Sequence, residues 1–262
     1  MKFDHIKGLL IQEFFITIRS YEVLLDIFVM PSMMIIVFGF LAMYVSGSTG
    51  LTVGHGLLTG MFFWQIIFVV QYSVSVSTLW NVWSRNLSNM FVAPISLVEY
   101  IVAQIISAVF KALCILIPTS LASILIFNFN IYSLGILNLA LSFLSLTIFA
   151  LSLGLIILGL IFRFGTRIQA FAWGLLPIFQ PFTAAFYPVS ILPSPMQWIS
   201  YLLPPTYIFE AMRANVGASA LQWQLISISF VGDMLYFCFA LWFFNKMFNK
   251  SKEVGQLARL EG

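Results

Sequence analysis

The sequence predicts an all-α polytopic membrane protein. Three observations lead there. Apolar residues make up 61% of the 262 and charged residues only 8%, against about 25% charged in a soluble domain. Six apolar stretches reach the roughly 20 residues that a bilayer crossing requires. Of the 12 lysines and arginines, ten fall on one side if those six stretches all cross.

The spans are expected at about 24–45, 57–79, 97–127, 132–162, 168–186 and 225–248. Asp26 and Pro31 fall in the opening turns of the first. The third and fourth exceed what a bilayer needs, so they are expected to tilt or to extend into water. Ahead of them, Phe3, Ile6, Leu10, Phe14 and Ile18 share one side at helical spacing. Asp4, His5, Gln12, Glu13 and Arg19 fall mostly on the other. That pattern reads as an amphipathic helix lying in the cytoplasmic interface, the alternative being a disordered tail. No cleavable signal peptide is expected, because Gln12 and Glu13 interrupt the first apolar run.

Orientation follows from the cations. Lys2, Lys7 and Arg19 precede the first span, Arg85 follows the second, and Arg163 and Arg167 follow the fourth. Lys246, Lys250, Lys252 and Arg259 end the chain, while the connections 46–56 and 128–131 hold no lysine or arginine. Both termini are therefore expected in the cytoplasm, with the chain in the cell (plasma or inner) membrane. An even number of spans requires the same.

Between the fifth and sixth spans the chain reads Phe186-Tyr187-Pro188-Val189-Ser190-Ile191-Leu192-Pro193, then Leu203-Pro204-Pro205-Thr206, then Glu210-Ala211-Met212-Arg213. Prolines this dense break helices, and backbone freed at membrane depth must find partners within the protein. The expected element is a re-entrant helical hairpin over about 186–217. Glu210 and Arg213, three residues apart, pair on one helical face. Two readings of that pair stand: a lock on the hairpin, or a solvated pair worth little.

Several chemistries lack their residues. There is no Walker A glycine-lysine pattern to cradle a nucleotide. The two histidines, His5 and His55, fall outside the spans, so a histidine-based metal or transferase centre in the membrane is not expected. No metal site and no nucleic-acid partner are indicated. Cys114 and Cys238 fall in apolar segments and read as small buried residues. Lys111, deep in the third span, reads as a structural lysine paired with a carboxylate or carbonyls, or as part of an ion path. Asp233 is the other ionisable group well inside a span.

The order of interfacial helix, cytoplasmic segment after span two, and broken hairpin before span six resembles the membrane subunit of ABC-2 type ATP-binding-cassette exporters. The likeness covers essentially the whole chain and is strongest over 162–217. It rests on Phe186-Tyr187-Pro188, Leu192-Pro193, Pro205 with Glu210, and Arg213. It implies residues 1–22 as the interfacial helix and 23–262 as a six-helix transmembrane domain. Residues from about 83 to 95 resemble the coupling helix that docks on an ATPase subunit, with Arg85, Asn86, Leu87, Asn89, Met90 and Phe91 as the docking residues. This chain departs from the family there, reading Arg85-Asn86-Leu87-Ser88-Asn89 where many members carry an acidic residue and Gly-Thr. It departs again at Ala184-Ala185, where a Ser-Gly type pair is common, and at Leu203-Pro204-Pro205, where asparagine-proline is common.

The resemblance further implies a homodimer or heterodimer with a second permease and a separate ATPase that binds ATP and magnesium, leaving no cofactor in this chain. Phe186, Tyr187, Pro188, Pro193, Pro205, Glu210 and Arg213 would then form an outer gate. Gln65, Gln71, Phe179 and Phe182 are candidate pathway residues. The polar face of span two (Gln65, Gln71, Ser73, Ser75, Ser77) suits either the pathway or a dimer seam. An ATP-independent channel or secondary transporter is the alternative, and a membrane scaffold without transport a third reading. The substrate class, whether glycan, lipid or drug, stays open.

Overall fold

The computed structural model describes residues 3–84, 95–216 and 221–253. Among them there is no strand. The helices are α1 (Phe3–Arg19), α2 (Tyr21–Leu24), α3 (Met30–Thr49), α4 (Leu51–Trp83), α5 (Leu97–Phe127), α6 (Ile136–Phe164), α7 (Ala170–Phe179), α8 (Ser194–Leu202), α9 (Pro204–Asn215) and α10 (Trp223–Glu253). A π-helical turn, Leu25–Val29, joins α2 to α3, so that Tyr21–Gly47 runs as one apolar rod. The π turn lies just before Pro31, which has no N–H to donate to the preceding turn.

Local chemistry explains the main breaks. Ser20 adopts an extended backbone, and its side chain accepts from Val23 N, ending α1 and starting α2. Ser96 and Glu99 form a reciprocal capping box that starts α5. Gly135 (φ 88) and Gly165 (φ 70) supply left-handed backbone at the two ends of α6.

The long helix α4 sits at the centre, packing against α3, α5, α6, α7 and α9. Helix α10 lies along α6, and α1 lies along α5. Five segments are long and apolar enough to cross a membrane: Tyr21–Gly47, Leu51–Trp83, Leu97–Phe127, Ile136–Ile168 and Trp223–Glu253. They coincide with five of the six expected spans.

Two expectations need correction. The stretch expected to be span five is helical only over Ala170–Phe182, including the 3-10 turn Gln180–Phe182. At about 1.5 Å per residue this is roughly 20 Å, short of the roughly 30 Å hydrocarbon core. Pro177 and Pro181 withhold amide hydrogens, and Ala184 turns the chain with a positive φ of 54°. Secondly, α1 packs on the bundle with a mixed face, burying Ile6 and Leu9 together with Glu13 and Thr17. Its polar residues His5, Gln12 and Glu13 face α4 and α5, while Phe3, Phe14 and Ile18 are exposed. The amphipathic pattern is real, but partners on the bundle attract the polar side. Cys238 likewise lies exposed on the outer side of α10.

Candidate functional site

The broken stretch after α7 packs against α4. Pro188 precedes a 3-10 turn, Val189–Ile191, and Pro193 starts α8 by accepting from Met196 N at 2.8 Å. Pro204 and Pro205 open α9, where their missing N–H groups cost nothing. Glu210 and Arg213 on α9 then reach back. Arg213 Nη2 donates to the Ala184 carbonyl at 2.7 Å and to Glu210 Oε1 at 3.2 Å. The same Glu210 oxygen accepts from Val189 N at 2.9 Å. Each member of the pair thus holds a backbone group of the preceding loop, and the Arg213 bond sits on the strained Ala184 turn. Tyr187 donates its hydroxyl to the Pro181 carbonyl, and the Phe186 ring tilts against Phe38 of α3 with centroids 4.7 Å apart.

Helix α4 meets this loop at Gly60. A Cβ there would run into the carbonyl oxygen of Ala185, so the approach needs glycine. Ala184 and Ala185 are fully buried at this contact. We expect Arg213→Ala to free the Ala184 carbonyl, leave Glu210 without its cation and weaken the loop by about 1.5–3 kcal/mol. Hydrogen exchange over residues 184–190 checks this, and Glu210→Gln, which keeps an oxygen for Val189 N, should exchange more slowly than Arg213→Ala.

At the other end of α4 lies a buried polar cluster. Glu13 accepts from Ser77 Oγ at 2.6 Å and Gln104 Nε2 at 2.9 Å, and pairs with Lys111 Nζ at 3.4 Å. Gln12 donates to Asn81 at 3.0 Å, and His5 lies 3.1 Å from Glu99. Lys111 therefore has the carboxylate partner that its depth calls for, and that partner comes from α1. Lys111 also lines a cavity of about 510 Å³ between α1, the π turn and α5, whose other walls include Phe14, Phe28 and Phe110.

Of the candidate pathway residues, Gln65 and Gln71 are buried within the helix bundle. Gln65 donates to the Pro31 carbonyl at 3.4 Å, and Gln71 donates to the Ala172 carbonyl at 3.0 Å and to Ser75. They tie α3 and α7 to α4. Phe179 and Phe182 are half-buried against the core. Arg85, Asn86, Leu87, Asn89, Met90 and Phe91 lie outside the described residues; the last described turn before them carries Trp83, stacked on Trp173 of α7 with centroids 6.1 Å apart. Sequence reasoning missed Gly60, which carries no signal within a long apolar helix. It also missed Glu13 as a site residue, although the only lysine deep in a span was the clue.

Among the described residues no group of three or more His, Cys, Asp or Glu side chains is placed to hold a metal. The described residues form a helical multi-pass membrane domain with a buried polar cluster and a proline-broken segment packed on α4. The chain belongs to the ABC-2 type transporter family, whose model matches residues 4–216. No curated protein matches the chain.

Proposed function

We propose that this chain is the permease subunit of an ATP-driven exporter, working as a homodimer or heterodimer on a separate ATPase subunit. The observation that best supports this is the continuity of α4. One unbroken helix meets the proline-rich loop at Gly60 and ends at Trp83, next to the segment resembling a coupling helix. Those 23 steps span roughly 35 Å of rigid rod. Movement imposed on residues 85–91 by ATPase closure is carried by α4 to the 186–217 hairpin, which acts as a re-entrant outer gate. In this reading α7 and the hairpin together complete a sixth crossing. Exposed Phe171, Trp173 and Ile178 of α7 face the pathway or the second permease, and Gln65 and Gln71 brace its wall. Both termini and the coupling segment lie in the cytoplasm, as the cation distribution requires. ATP and magnesium belong to the partner ATPase; a permease-type domain fits a chain without a cofactor of its own.

The test is co-purification. The full chain is expected to capture an ATP-binding-cassette ATPase, and Met90→Asp or Phe91→Asp to abolish capture by placing a charge in an apolar docking face. Transport that persists in vesicles without any ATPase would refute the proposal.

A further inference from the structure

A further buried polar group sits away from the Glu13–Lys111 cluster, where α6, α10 and the turn between α8 and α9 meet. Asp233 of α10 is fully buried and makes no ion pair among the described residues. Its Oδ2 lies 2.5 Å from Ser145 Oγ of α6, and Ser145 Oγ lies 2.9 Å from Ser229 Oγ, one turn before Asp233 on α10. Ser229 Oγ in turn lies 2.8 Å from the carbonyl oxygen of Pro204, the residue that opens α9. Gly232 allows the close approach: a Cβ there would stand 2.8 Å from Pro204 Cγ.

Counting hydrogens settles the direction of this chain. Three contacts need three hydrogens, and each hydroxyl brings one. A carbonyl only accepts, so the Ser229 hydrogen goes to Pro204. The Ser145 hydrogen is then the one between the two serines. The contact between Ser145 and Asp233 is left with no hydrogen unless the carboxyl group carries it. An ionised carboxylate would leave one pair of oxygens facing each other below 3 Å with nothing between them. It would also leave a bare charge in the membrane interior, with Oδ1 unpartnered. The surrounding titratable groups offer no countercharge. Tyr236 donates to the Leu202 carbonyl and Tyr207 to the Tyr201 carbonyl, while Glu210 and Arg213 are paired with each other.

We propose that Asp233 is held as a neutral carboxylic acid and positions the α8–α9 hairpin. Its proton completes a relay from Asp233 through Ser145 and Ser229 to the Pro204 carbonyl at the turn between α8 and α9. This holds whether or not the hairpin acts as a gate.

Infrared spectroscopy of the full chain in lipid nanodiscs tests it. A protonated-acid carbonyl band is expected at neutral pH, absent in Asp233→Asn and shifted in Ser145→Ala. Hydrogen exchange over residues 194–209 gives the second arm. Asp233→Asn keeps an N–H donor toward Ser145 and should exchange as the native chain does, whereas Asp233→Leu should exchange roughly two- to tenfold faster. Absence of an acid band that Asp233→Asn removes overturns the proposal, and so does Asp233→Asn exchanging as fast as Asp233→Leu. If Asp233→Leu fails to fold, the band and the comparison of Asp233→Asn with the native chain still decide. Neither arm needs ATP or transport, so failure of the exporter reading is separately visible.

Discussion

Replacing Glu13 by leucine is expected to be the most damaging single change in this chain. It leaves the Lys111 ammonium, only 6% exposed, in a groove of phenylalanine and aliphatic side chains without its counterion. Removing one partner of a buried ion pair costs about 3–5 kcal/mol. Ser77 and Gln104 lose their shared acceptor at the same time. Lys111→Met should cost less, because Glu13 keeps both of those donors. The double variant Glu13→Leu/Lys111→Met should recover much of the loss, since an apolar pair of similar volume is often neutral or better. Thermal unfolding of the purified chain in nanodiscs, read as a double-mutant cycle, measures the coupling. Additive single effects would show that the pair does not hold α1 to α5.

Gly60→Ala comes second. One methyl group must displace the Ala185 backbone, and because the obstacle is a carbonyl oxygen it has no rotamer through which to yield. Overpacking of this kind costs about 1–3 kcal/mol, with a drop in Tm of roughly 2–4 °C per kcal/mol for a chain of this size. The control is Gly174→Ala, where the added carbon meets nothing within 4 Å. Gly174→Ala should unfold with the native chain. Equal Tm values for all three proteins would mean that α4 does not bear on the 184–186 turn.

The long helices were legible because burial in a bilayer is summed along the chain, and 97–127 needs no neighbour to be recognised as a span. The shortened segment at 168–186 was not. Its apolar composition outweighs Pro177 and Pro181 in any windowed reading, although those prolines decide where its helix ends. The packing of Glu13 against the bundle was hidden for another reason. An amphipathic pattern says which residues share a face, and the helix places that face according to partners such as Ser77, Gln104 and Lys111 that lie 64 to 98 residues away. On α9, the Glu210–Arg213 pair was readable from its spacing. Its attachment to Val189 and Ala184 was not.

The sequence by itself determined an all-helical membrane protein, the places of five spans, the proline-broken segment, and the need of Lys111 for a polar partner. Each follows from local terms: apolar transfer, proline's missing hydrogen, helix capping. Only the tertiary structure decided that Glu13 is that partner, that Gly60 takes a backbone carbonyl, and that Asp233 reaches the Pro204 carbonyl through two serines. Those are pairings between helices, and a polar group buried in an apolar bundle takes the partner that packing brings within hydrogen-bond reach.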